Sequence, residues 1–372
     1  MNLAERKQLF RDTLAFNNKG CVPSLCNAWS YKIYDAGYTL QEALFDYDVM
    51  EKVVRQFHER YHFDTYFDLG TRNPMQISKA LGSFRHRIDE KADAIVIEDY
   101  SLMQPEEYPE FTADQQAFNW SKALQRLNPD LTYGQLQATI GAMLGFFGFN
   151  GKIQQIMVQE YNTPVLYNAV LQVPIESLMM GVRGMRDLSL DMRRRRADVK
   201  AASDKMFEGL IAQAQAVAAG PSEDRYVFDA ESVILASTIM SRKQFEEFYA
   251  PYLKPLMDTV ISSGKMYYIF CENSLQNFYE FFQDFDKGSV LINLELDDIR
   301  DTRKKLPNIA LGGGMPSALL GTASVEECVD FAKKLIDDMG DGFVFSSDKM
   351  LSYRNDARPE TLKAVMDLVR KD

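Results

Sequence analysis

The sequence predicts an α/β fold, a (β/α)8 TIM barrel with an N-terminal helical and loop cap. Apolar runs of four to eight residues alternate along the chain with stretches of ten or more residues that have helical spacing. Each apolar run is nearly continuous, which is typical of parallel strands that are buried on both faces. Eight such units closed on themselves form a barrel.

The apolar runs and the helical stretches give the order of the elements. The predicted strands are Thr65–Leu69, Ala94–Glu98, Val165–Val170, Tyr226–Leu235, Met266–Cys271, Val290–Leu294, Ile309–Gly312 and Phe343–Phe345. The predicted helices are Tyr133–Phe147, Val182–Arg194, Ala197–Ala219, Arg242–Ser262, Leu275–Asp284, Ser324–Met339 and Pro359–Lys371. Ser324 is a good N-cap for its helix, and Gly340 follows the end of the same helix.

An open, doubly wound sheet is the alternative fold. It is the weaker interpretation because no G-x-G-x-x-G follows the first strand and because eight strands exceed its usual number. No linker rich in Ser, Pro or Gly divides the 372 residues. We therefore expect one domain, with a cap over residues 1–62 and a barrel over residues 63–372.

Composition excludes several classes of protein. The chain has 42 Lys and Arg against 53 Asp and Glu, a net charge of −11, which disfavours a protein that tracks a nucleic-acid backbone. Four cysteines are too few for a disulfide scaffold, and we see neither a secretion signal nor a membrane span. We expect a cytoplasmic protein that binds no nucleic acid and no membrane, and that could form a homodimer.

The chemistry of such a barrel lies on the loops after the carboxyl ends of its strands. Cys271 and Glu272 follow the most apolar strand, and Glu231 lies in the strand before it; we expect these three to be catalytic. A thiolate and a carboxylate can hold zinc, so Glu231 and Cys271 are also the candidate metal ligands. Packing is the alternative role of Cys271. The expected substrate-binding residues are Asn27, Trp29, Asp68, Tyr100, Asn168, Asn273, Gly313 and Met315.

Three further motifs have ordinary structural explanations. His58-Glu59-Arg60-Tyr61-His62 is an H-E-x-x-H string, but it precedes the first predicted strand and we expect an exposed helix end. The four arginines 193–196 point in all directions on a helix, so they form no single patch. Gly312-Gly313-Gly314 either cradles an anionic group or makes a tight turn.

Several blocks of the sequence resemble the uroporphyrinogen decarboxylase superfamily. Met240-Ser241-Arg242-Lys243-Gln244-Phe245 with Tyr249-Ala250-Pro251-Tyr252-Leu253-Lys254 resembles that family's S-P-E-x-F … P-Y-x-K helix. Further resembling blocks are Arg183-Gly184 with Leu190-Asp191-Met192, Cys271-x-Asn273, and Leu311-Gly312-Gly313-Gly314. They occur in the family's order, and the similarity extends from about Phe63 onward.

Within this superfamily, the chain resembles the corrinoid-dependent methyltransferases of O-demethylase, methanol and methylamine systems. The resemblance implies transfer of a methyl group from a small methylated substrate to the Co(I) of a separate corrinoid protein, with zinc as a cofactor. The family's His-x-Cys pair is Ile269-Phe270-Cys271 here, and its second Cys falls in Ser346-Ser347-Asp348-Lys349. A decarboxylase or another lyase, or a metal-free binding barrel, remains an alternative.

Overall fold

A computed structural model describes residues 1–67, 74–83 and 85–370 of the chain. The chain begins with four helices: α1 (Leu3–Leu14), α2 (Tyr31–Asp35), α3 (Leu40–Leu44) and α4 (Tyr47–Tyr61). Helix α1 begins with a capping box in which Asn2 and Glu5 bond each other's backbone N–H groups.

A lobe of about 90 residues follows, built from one hairpin and five helices. Its elements are α5 (Met75–Leu81), β1 (His86–Asp89), β2 (Ala94–Ile97), α6 (Tyr108–Ala113), α7 (Gln115–Phe118), α8 (Leu124–Leu127) and α9 (Tyr133–Glu160). A 3-10 turn over Pro105–Glu107 and a π-turn over Asn119–Ala123 connect the short helices.

The rest of the chain alternates strands with helices. The strands are β3 (Val165–Val170), β4 (Tyr226–Ile234), β5 (Tyr267–Cys271), β6 (Val290–Leu294), β7 (Ala310–Met315) and β8 (Phe343–Ser347). The helices are α10 (Pro174–Leu178), α11 (Gly184–Arg194), α12 (Arg196–Ala219), α13 (Arg242–Phe248), α14 (Ala250–Ile261), α15 (Tyr279–Phe282), α16 (Ile299–Lys305), α17 (Ser317–Thr322), α18 (Val325–Met339) and α19 (Pro359–Val369). Short 3-10 or π-turns cover Met179–Arg183, Ala236–Ile239 and Gln276–Phe278.

Two short segments of the chain complete the barrel. Strands β3 to β8 pair in sequence order, and every pairing is parallel. Beyond β8, Ser24 pairs with Phe345, and the N–H of Asp64 donates to the Ser24 carbonyl. Tyr66 then pairs with Val165 of β3, which brings the ring back to its start.

Helix α1 covers the end of the barrel where the strands begin. The N–H of Gly288, just before β6, donates to the Leu14 carbonyl, and the guanidinium of Arg11 donates to the Gly264 carbonyl before β5. The rings of Phe10 and Phe228 meet edge to face with their centroids 5.9 Å apart. The carboxyl ends of the strands are therefore at the end of the barrel opposite α1.

The structure confirms the predicted barrel and the place of Tyr66 in its first strand, but it corrects the second predicted strand. Residues 94–97 form a strand, but it pairs antiparallel with β1 outside the barrel. A four-residue apolar run cannot indicate which sheet it joins, and here an Asp93 with positive φ closes a tight hairpin. The segment around Ser24, which the sequence analysis assigned to the cap, takes a place in the ring. Of the predicted strand 65–69, residues 68 and 69 lie outside the described residues.

The helices are mostly where the sequence predicts them. Helix α9 is longer than predicted, since it continues past Phe147 to Glu160, and the stretch 242–262 is divided into α13 and α14 at Tyr249. None of the described helices combines the length and the apolar character that a membrane crossing requires.

Candidate active site

Three carboxylates meet at the barrel mouth, one after each of three strands. Glu272 follows β5, Glu295 follows β6, and Asp348 follows β8. Burial raises the pKa of Glu295, and the negative charges of Glu272 and Asp348 raise it further. The N–H of Asn273 and the charge of Lys349 act in the opposite direction. The mouth therefore holds a carboxyl group that keeps its proton to higher pH than an ordinary glutamate does.

Side chains of the loop after β6 accept hydrogen bonds from the loop after β5 and hold it in place. Its Glu295 Oε2 accepts the backbone N–H of Asn273 at 2.7 Å. Asp297 Oδ2 accepts the N–H of Leu275 at 2.7 Å, and its Oδ1 accepts the hydroxyl of Ser274. Asn273 has a φ of 84°, a left-handed conformation that Asn tolerates better than most residues. These bonds hold Glu272 and Glu295 on fixed backbone.

Two glycines of β7 allow the backbone to pass close to β6. Gly313 has a φ of 108°, and a Cβ at this position would lie 2.6 Å from the Leu294 carbonyl oxygen. A Cβ on Gly312 would lie 2.8 Å from Asn293 Oδ1. Of the two explanations offered for the three glycines, the close backbone turn is the one that these distances support.

Cys271 lies on the face of β5 that is covered by helices. Successive side chains of a strand alternate between faces, so Cys271 shares a face with Tyr267. Tyr249, between α13 and α14, and Tyr279 of α15 both lie near the Cys271 sulfur. Burial raises the pKa of the thiol, and nearby carboxylates raise it further. The sulfur is a packed, protonated thiol, which was the alternative role considered for it.

Glu231 lies on the opposite face of the sheet from Cys271. Glu231 pairs in register with Tyr268, whereas Cys271 pairs with Ile234, three residues further along β4. Residues three apart on a strand point to opposite faces. The two side chains therefore do not fit a shared zinc ion. Within residues 1–67, 74–83 and 85–370, no three His, Cys, Asp or Glu side chains are grouped as metal ligands.

The predicted substrate-binding residues divide into two groups. Asn273 and Gly313 lie beside the carboxylates, and Asn27 donates to the Ser347 carbonyl at the end of β8. Met315 is buried at the end of β7, and Asn168 is exposed on β3.

The other predicted residues have different surroundings. Trp29 packs in a separate apolar cluster with residues of α4 and α9, and Tyr100 lies in the lobe, where its ring is 5.6 Å from the Arg85 guanidinium. Asp68 lies outside the described residues.

Sequence reasoning missed Glu295 and Asp348 as functional residues. Both follow strands that were predicted, and both were among the polar residues at strand ends. Nothing in the sequence distinguishes them from other such residues, because the property that matters is their approach to Glu272 in the closed ring.

The H-E-x-x-H string is structural. His58 is buried on α4, and its Nε2 lies 3.2 Å from the Thr163 hydroxyl. The predicted exposed helix end is therefore wrong for His58, while Glu59 is exposed and accepts the Tyr161 hydroxyl at 2.5 Å. Burial lowers the pKa of His58 to about 3, and the positive charges of His62, Arg6, Lys32 and Arg370 contribute.

Comparison with known proteins identifies the family. Residues 145–371, more than half of the chain, match the model of a family described as Uroporphyrinogen decarboxylase (URO-D). The chain belongs to the uroporphyrinogen decarboxylase family. This confirms the resemblance that the sequence blocks indicated. A search of the curated proteins found no match.

A solved structure shares the fold of this URO-D family chain over its whole length. It is a methyltransferase from Methanosarcina mazei, with a TM-score of 0.62 and 14% sequence identity. The match covers 99% of this chain and 98% of the other. At this identity the likeness establishes a common fold.

Proposed function

We propose that this URO-D family chain is a methyltransferase. It would move a methyl group from a small methylated substrate, such as a methoxyarene or a methylamine, to the Co(I) of a corrinoid carried by a separate protein. Family membership and the full-length likeness to a methyltransferase fold support the proposal. The observation that carries the mechanism is the position of Glu295 at the mouth, where it is half-buried beside Glu272 and Asp348 and its pKa is raised.

The chain offers a residue that can act on the departing heteroatom. When a methyl group leaves an ether oxygen or an amine nitrogen, the electron pair of the broken bond stays on that atom, which then needs a proton. Glu295 is the proposed donor of this proton, because it lies at the mouth and because burial and the neighbouring carboxylates raise the pKa of its carboxyl. The methyl acceptor would supply the new bond, and solvent would restore the proton to Glu295.

Exposed apolar side chains at the carboxyl ends of the strands suit both the substrate and a docking protein. Val170 at the end of β3, Leu296 after β6 and Tyr353 after β8 are all exposed. Leu296 lies between Glu295 and Asp297 in the sequence. A methylated substrate would place its apolar part against such a rim and its heteroatom against the acid.

We propose a proton donor in the place of a zinc ion. The role that zinc would have, to stabilise the leaving group, falls to a proton donor, since Glu231 and Cys271 occupy opposite faces of the sheet.

A spectroscopic assay tests the proposed reaction. Purified protein is mixed with Co(I) cobalamin and a panel of methoxyarenes, methylamines and betaines, and the conversion to methylcobalamin is followed by absorbance. We expect conversion with at least one donor, and a rate at least 100-fold lower for Glu295→Gln. Glu208→Gln, an exposed change on α12, is the matched control and should leave the rate unchanged.

Two results would contradict the proposal. Unchanged spectra with every donor would rule against methyl transfer to a corrinoid. Release of CO2 from a carboxylated substrate, with loss of the activity in Glu295→Gln, would favour the decarboxylase alternative on the same barrel.

A further inference from the structure

Helix α9 exposes a row of large apolar side chains. The exposed fractions are 75% for Tyr133, 70% for Leu144 and 59% for Phe147, and Ile140 and Met143 are exposed as well. Scattered single exposures are ordinary, but these five belong to one half of one helix. A helix that is apolar all round is normally buried.

The same stretch contains no charge. From Leu131 to Gly151 there is not one Asp, Glu, Lys or Arg, although such residues make up 26% of the chain. A surface helix exposed to water usually has charged residues on its outer face. The outer face of α9 therefore has the composition of an interface.

Helix α9 is long, and its two halves differ in burial. Its 28 residues extend about 42 Å, against about 20 Å for the six residues of β3 that follows it. Five of its six buried residues lie in the second half, from Phe146 onward. The first half is an apolar projection with one face on the lobe and the other open.

The open face combines large and small residues at heptad spacing. Gly141, Leu144, Gly148 and Gly151 follow one another at intervals of three and four residues, which places them on one stripe. A Cβ on Gly141, Gly148 or Gly151 would meet nothing within 4 Å. The stripe thus presents the Leu144 side chain between glycines whose surroundings are open.

We infer that this face pairs with the same face of a second copy of the chain. In an antiparallel arrangement about a two-fold axis between residues 142 and 143, Leu144 packs on the partner's Gly141 and the reverse contact follows by symmetry. Gln137 then lies opposite the partner's Gly148. The face is complementary to itself, which is the requirement for a two-fold interface.

The charges at the two ends of the uncharged stretch and the area of its exposed side chains both fit pairing with a second copy of the chain. The uncharged stretch is bounded by Asp130 at one end and Lys152 at the other, so antiparallel pairing brings opposite charges together at both ends. Lys152 also pairs with Glu51 of its own chain. The five exposed side chains offer roughly 600 Å2 per chain, and two copies would bury about 1,200 Å2, which reaches the range of specific interfaces.

Sedimentation equilibrium of the full chain tests the inference. We expect a mass twice the 42.5 kDa of one chain at micromolar concentration. Leu144→Glu and Leu144→Lys should each be monomeric, because each places two like charges near the axis. A mixture of the two variants should recover the dimer, since the charges are then opposite. Such recovery would show that the single variants are folded and have lost only the contact between chains.

Two more variants complete the test. Gly141→Leu has room in the single chain and should raise its unfolding temperature, yet dissociate the dimer by separating the helices. Val325→Glu, an exposed apolar position on α18, is the matched control and should remain dimeric. A monomeric wild-type chain, a dimer unaffected by Leu144→Glu, or a monomer that sediments with phosphatidylcholine vesicles through Leu144 would overturn the inference.

Discussion

His58 shows how a single residue ties stability to pH. It is buried with a pKa lowered to about 3, whereas an unfolded histidine titrates near 6.5. Its contribution to stability is complete above pH 6.5 and is lost as the pH falls towards 3, because unfolding then takes up a proton. The ring must stay neutral for α4 to pack against the segment that contains Thr163.

We expect His58→Gln to lose less stability in acid than the wild type. The difference between their free energies of unfolding should shrink by up to about 1.4 kcal/mol per pH unit below pH 6.5. Urea unfolding of both proteins at pH 7, 6, 5 and 4 measures this difference in free energy. His86→Gln, at a partly exposed histidine, is the control and should show a weaker effect. Parallel pH profiles for wild type and His58→Gln would contradict the burial of this ring as a neutral group.

Residue chemistry at the mouth was predictable only in part. Glu272 and Asn273 directly follow β5, and the rule that barrels work at the carboxyl ends of their strands was enough to place them at the mouth. The helix-facing orientation of Cys271 was not predictable, because one residue of register decides which face a side chain takes.

At the level of elements, the sequence is most informative where several local features agree. Helix α18 has an apolar stripe, a capping residue and a glycine at its end, and it lies at Val325–Met339. The strand at 94–97 had only a short apolar run, and the choice between the barrel and a hairpin depended on distant parts of the chain. Local sequence determines an element, and the whole chain determines its partners.

The cap of α18 provides a test at this scale. Ser324 Oγ accepts the N–H of Glu327, and the Glu327 carboxylate accepts both the N–H and the hydroxyl of Ser324 at 2.8 Å. Ser324→Ala removes the hydroxyl, and with it the bond from the Glu327 N–H and the bond to the Glu327 carboxylate, and should cost about 1 kcal/mol of unfolding free energy. Ser324→Thr keeps the hydroxyl and should cost less, as measured by urea unfolding. Equal losses in the two variants would mean that the hydroxyl contributes nothing.

For the whole molecule, the closure of the ring depends on parts of the chain that are far apart. Predicting a barrel needed only the alternation of strands and helices. Predicting which segment lies between β8 and β3 needed more, because the residues around Ser24 form no long apolar run and pair through isolated bridges. The closing contacts are made largely by polar groups, which no hydrophobic pattern reveals.

Asp64 holds this closure together. Its Oδ2 accepts both the N–H of Ser24 at 2.9 Å and the Ser24 hydroxyl at 2.8 Å, and its Oδ1 pairs with Arg6 of α1. This buried carboxylate thus joins helix α1 to two neighbouring segments of the ring. Because such charge-assisted bonds are stronger than neutral ones, the loss of this charge should lower the stability of the whole domain.

We expect Asp64→Asn to lower the free energy of unfolding by about 3 kcal/mol, since it leaves the partly buried Arg6 without its counter-ion. Asp301→Asn removes the charge of a fully exposed pair with Lys304 and is the matched control, which should leave the free energy of unfolding almost unchanged. Urea unfolding followed by circular dichroism compares the two. Equal losses would show that the ring is closed by its apolar contacts alone, and that the Ser24 segment needs no anchor at Asp64.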